Sequence, residues 1–90
     1  MQLNNVLNRM ANLLILDNSN GNWVNSLLGF VHDLDSIDED DIKREISMCF
    51  GGSGSLNDTW LTDPVLNKEF RSLLAKLYSM SHDRKNYISK

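Results

Sequence analysis

Four runs of apolar residues, each repeating at helical spacing, constrain this chain more than any other feature. Leu3, Val6, Leu7, Met10, Leu13 and Leu14 fall on one face, because residues three and four apart stack at about 3.6 residues per turn. Trp23, Val24, Leu27, Leu28, Val31 and Leu34 make a second stripe. Ile42, Ile46, Cys49 and Phe50 make a shorter third, and Leu66, Phe70, Leu73, Leu74, Leu77 and Tyr78 a fourth. No useful length alternates with the period of two that a half-buried strand requires. The expectation is an all-α fold: a small antiparallel bundle of four main helices, with a Gly-rich loop before the last.

Local signals punctuate these stripes. Turn-forming residues from Asp17 to Asn22 separate the first two helices. Ser36 and Glu39 stand at capping-box spacing, with Asp38, Asp40 and Asp41 beside them where the helix dipole favours anions. Gly51 and Gly52 are expected to stop the third helix, since glycine takes the left-handed conformation of a C-cap. Asp63-Pro64 reads as an N-cap followed by proline in the first helical position. The chain of 90 residues has room for one domain over 1–90, with 81–90 expected as a frayed polar tail.

Composition narrows the function classes. A net charge of −3 argues against direct nucleic-acid binding, which needs a basic face to neutralise phosphates. A single cysteine permits no intrachain disulfide, and Cys49 on an apolar face reads as a small hydrophobe rather than a reactive thiol. No apolar run approaches the length needed to span a bilayer, and the first residues lack the basic start of a signal peptide. The expected setting is the cytoplasm, without a membrane.

Catalysis finds little material. His32 and His82 have no cysteine or carboxylate at metal-ligand spacing, so no metal and no cofactor are expected. No serine sits in a nucleophile elbow, and nothing pairs Cys49 with a histidine. The expectation is a binding protein rather than an enzyme. Trp23 and Trp60 read as core anchors, although tryptophan is also enriched in interfaces.

Two segments carry the remaining information. Residues 33–45 hold seven acids against two bases, a local charge of −5, whereas 68–90 carry +4. A calcium loop starting at Asp33 fails, because Ile37 falls on a ligand position, Asp38 where glycine is needed and Arg44 on the bidentate glutamate. Two readings stay open: a solvated helix start, or an acidic docking face formed by Asp33, Asp35, Asp38, Glu39, Asp40 and Asp41. The second segment runs from Phe50 to Asp58. It lacks the lysine of a P-loop and the βαβ setting of a dinucleotide site. A helix stop is expected there, then a tight loop in which Ser55, Asn57 or Asp58 caps a short turn ahead of Trp60.

That segment, Phe50-Gly51-Gly52-Ser53-Gly54-Ser55-Leu56-Asn57-Asp58, with Asn22-Trp23 before it and Leu77-Tyr78 closing the last helix, resembles a family of small bacterial proteins. The family has a phenylalanine-glycine-glycine-x-glycine-serine-x-asparagine-aspartate motif between two helices, and the resemblance spans about residues 22–80. Such proteins look like immunity proteins of bacterial competition systems, including contact-dependent growth inhibition, in which each neutralises one toxin nuclease. The resemblance implies no catalytic residue. Gly51, Gly52, Gly54, Ser55, Asn57 and Asp58 match the motif and read as structural. The partner expected from these strands together is a cognate toxin, a basic nuclease domain, met by the acidic face. The alternative is a regulatory or adaptor module for a protein of the same cell.

Overall fold

The computed structural model describes residues 2–18, 21–51 and 55–82. Among these residues four α-helices follow one another: α1 (Leu3–Asp17), α2 (Gly21–Asp33), α3 (Glu39–Ser47) and α4 (Pro64–Ser81). A short 3-10 turn, Leu56–Asp58, lies in the connection before α4, and no strand occurs among the described residues. The fold is all-α, a small helical bundle. Gly52 and Gly54 of the motif, and residues 83–90 of the expected tail, lie outside the described residues.

α1 behaves as its periodicity requires. Leu3, Val6, Leu7, Met10, Leu13 and Leu14 are all buried, with Ala11 between them. The helix closes on Asn18, which takes the left-handed conformation at φ 55° and donates its N–H to the Ile15 carbonyl. Asparagine tolerates that region better than other residues with a Cβ, which suits it to end a helix. α4 begins as its sequence requires: the Asp63 carboxylate accepts from the amides of Val65 and Leu66 at 2.8 and 3.2 Å, ahead of Pro64.

The helix directions follow from which ends meet. Asp17 at the end of α1 accepts hydrogen bonds from Thr62 and Asp63 at the start of α4. Midway along α1, Arg9 pairs with Glu69, one turn and a half into α4. α1 and α4 therefore run antiparallel. Gln2, Leu3 and Asn4 share a depression with Leu28, Val31 and Leu34, which makes α2 antiparallel to α1 as well. Phe70, Leu73, Leu74 and Leu77 of α4, Ile42 and Ile46 of α3 and Leu27 of α2 complete one core with the α1 residues.

Several expectations needed correction. α3 starts at Glu39 after Asp38, not at Ser36, and no side chain caps it. The chain leaving α2 continues through turns in which Ser36 and Ile37 both donate to the Asp33 carbonyl. Ser36 thus lies two residues too early to pair with Glu39 in a capping box. α3 also ends at Ser47 rather than at the glycines. Cys49 and Phe50 reach the core from the turn that follows, and Gly51 then takes a φ of +94°.

Trp60 is 62% exposed instead of anchoring the core. Thr59 before it is extended, so successive side chains point to opposite sides, and Thr59 and Leu61 take the inward positions. Trp23, by contrast, is half-buried against the core. Ser81, expected at the head of a frayed tail, is the last residue of α4 and fully buried, its hydroxyl donating to the Tyr78 carbonyl at 2.8 Å. Tyr78 itself, placed on the apolar stripe by its spacing, is half-exposed.

Candidate functional site

The acidic residues gather where α2 hands over to α3. Asp33 ends α2, Asp35 lies in the following turns, Asp38 precedes α3, and Glu39, Asp40 and Asp41 fill its first turn. Asp35, Asp38, Glu39 and Asp41 are exposed, whereas Asp33 and Asp40 are half-buried. Three carboxylates at the positive end of a nine-residue helix are each stabilised by its dipole. Cations lie one turn on, with Lys43 3.1 Å from Glu39 and Arg44 3.3 Å from Asp41.

This acidic corner borders a depression of about 720 Å³. Asp35 and Glu39 stand on its rim. Leu28, Val31, Leu34 and Met80 give it apolar walls, and Gln2 and Asn4 bring in the start of α1. The exposed His32 also lines it. Sequence reasoning found the carboxylates but not the hollow, because its walls come from three helices.

The motif residues have a second location. Phe50, Gly51 and Asn57 line a groove of about 660 Å³ against Arg71, Leu74, Ala75, Tyr78 and His82 of α4 and its C-cap. Phe50 meets Tyr78 edge to face, with ring centroids 5.1 Å apart, and Tyr78 lies 4.4 Å from the His82 ring. Arg71 fastens the loop to α4, its Nη1 donating to the carbonyls of Asn57 at 3.0 Å and Thr59 at 3.1 Å. The guanidinium carbon lies over the ring of Trp60, 4.0 Å from its centroid. The expected short turn ahead of Trp60 is present as Leu56–Asp58, but the Ser55 side chain does not cap it. Its Oγ is buried without a hydrogen-bond partner. Leu56, fully buried inside the loop, and Arg71 were missed in the sequence, since helical periodicity does not report on loop residues or on an α4 side chain that folds back.

Cys49 is half-buried, with Sγ donating to the Glu45 carbonyl at 3.6 Å. Burial pushes its thiol up, and the nearby Glu45 charge pushes it further. A thiol raised in this way is a poor nucleophile at neutral pH. Among the described residues no three histidine, cysteine or acidic side chains gather to hold a metal ion. Nor is any described helix long and apolar enough to cross a membrane.

Fold and surface together define a small all-α protein whose described residues form a hollow with an acidic rim and a groove built around an arginine. Residues 17–65 match the family described as a domain of unknown function, DUF6966, and the chain belongs to that family. The matched span takes in both the acidic corner and the glycine motif. No curated protein and no solved structure matches the chain.

Proposed function

We propose that this protein is a cytoplasmic immunity protein that binds one cognate toxin domain, a basic nuclease, through the acidic corner and shields its active site or substrate groove. The observation that carries the reading is the depression rimmed by Asp35 and Glu39 and walled by Leu28, Val31, Leu34 and Met80. Protein interfaces combine an apolar centre with a polar rim in this manner. The exposed carboxylates would attract a cationic nuclease surface and speed its encounter with the inhibitor. The motif resemblance at Phe50–Asp58 points to the same class of protein and assigns it no chemistry of its own.

An immunity gene is expected directly downstream of the gene for its toxin. The test is co-expression of the protein with the product of the gene immediately upstream, scored as bacterial growth. Growth arrest by that product alone and recovery in the pair supports the reading. Arrest that persists with the protein present at equal abundance contradicts it and leaves the adaptor module as the better account.

A further inference from the structure

The groove between the glycine motif and α4 has the opposite chemistry from the acidic corner. Its described lining contains Arg71 and His82, two aromatic rings, the Asn57 amide and no carboxylate. At about 660 Å³ it falls within the range of small-ligand sites, roughly 300–1,000 Å³.

Arg71 is held in a way that leaves one edge for a ligand. Both protons of Nη1 are taken by the Asn57 and Thr59 carbonyls, and the guanidinium carbon sits over the Trp60 ring. What remains is the Nε–Nη2 edge, which makes no hydrogen bond among the described residues. The preference of that edge is displayed elsewhere in the same molecule. Arg9 uses its Nε and Nη2 to grip both oxygens of Glu69, at 2.6 and 3.0 Å. A fixed guanidinium fork matches a carboxylate in its own plane, with two parallel hydrogen bonds. The half-exposed ring of Tyr78, braced by Phe50 and by the His82 ring 4.4 Å away, adds an aromatic wall to the same groove.

We propose that this groove binds a carboxylate carried on a flat apolar body, the carboxylate on the Nε–Nη2 edge of Arg71 and the body against Tyr78 and Phe50. A free aromatic acid and the C-terminal residue of a peptide share that chemistry. The proposal stands independently of the immunity reading, since it uses neither the acidic corner nor a toxin.

The test is an amide-resolved NMR titration of the whole protein with 3-phenylpropanoate, its amide, inorganic phosphate, and N-acetyl-Gly-Gly-Phe with a free C-terminus. Expected are saturable shifts at Phe50, Gly51, Asn57 and Tyr78 with the carboxylates, about tenfold weaker binding of the neutral amide, and no saturation by phosphate. Tighter binding of the tripeptide than of 3-phenylpropanoate identifies a peptide C-terminus as the source, and the reverse order a free acid. Ala75→Trp, at an exposed α4 position lining the groove, fills the site and should abolish the shifts. Arg71→Lys keeps the charge, loses the fork and should weaken binding about tenfold. No saturation by either carboxylate up to about 20 mM overturns the proposal. So does phosphate binding as tight as theirs, or shifts unchanged in both variants.

Discussion

Asp17 does more for this fold than its place in a polar turn suggests. One oxygen accepts from the Thr62 amide, and the other from the Thr62 hydroxyl and the Asp63 amide, each at 2.9 Å. The carboxylate thus docks the end of α1 on the residue that caps α4. Charge-assisted bonds of this kind are stronger than neutral ones, and Asp17→Ala should cost about 2 kcal/mol, read from urea unfolding at neutral pH. An unchanged midpoint would mean that water replaces the tie at no cost. The pair Arg9–Glu69 has a pH signature. Hydrogen bonding to Arg9 holds the Glu69 carboxyl below its ordinary range, and the same bond raises Arg9. A carboxyl lowered on folding stabilises above its unfolded pKa of about 4.3 and loses that contribution as pH falls through the folded value. The stability gap between wild type and Glu69→Gln should therefore hold from about pH 7 to 5 and start to narrow only as pH falls below about 4.3. Neither contact was legible in the sequence, because the partners lie 45 and 60 residues apart and each looks like an ordinary surface charge.

Among the elements, α1 and α4 were read correctly along most of their apolar stripes, since a long, strongly periodic segment admits one buried face. The short ones were harder. α3 has nine residues and buries only Ile42 and Ile46 through its own helix. Its expected start at Ser36 failed because the α2–α3 connection spends that residue on a turn. The connection before α4 contributes more core than a loop usually does. Leu56 is fully buried and Leu61 nearly so, with the exposed Trp60 between Leu61 and the buried Thr59. Leu56→Ala should then cost about 3 kcal/mol, as expected for a buried leucine in a well-packed core. Leu16→Ala, at a position 65% exposed, should stay within about 0.5 kcal/mol. Urea midpoints of the two variants separate these cases, and equal midpoints would show that the loop does not plug the core. Such a loop residue escapes periodicity but leaves one trace in the sequence, an isolated leucine in a run of small and polar residues.

Across the whole molecule, the sign of the charge changes from one surface to another, so the net charge of −3 describes neither. The α2–α3 corner concentrates carboxylates beside an apolar hollow, while the motif groove on α4 presents Arg71 and His82. The acidic run was visible in the sequence as a local excess. The hollow beside it was not, because it exists only once α1, α2 and α4 meet. If the corner is where a basic nuclease docks, electrostatic steering should dominate the approach of the two proteins. The decisive measurement is the association rate of the protein with the product of the upstream gene across a salt series. Wild type is compared with an Asp35→Lys, Asp38→Lys, Glu39→Lys triple variant. A wild-type rate that falls steeply with salt, and a variant slower by about tenfold or more at low ionic strength, is the expected result. Equal rates for the two proteins at low salt would contradict the acidic corner as the docking face.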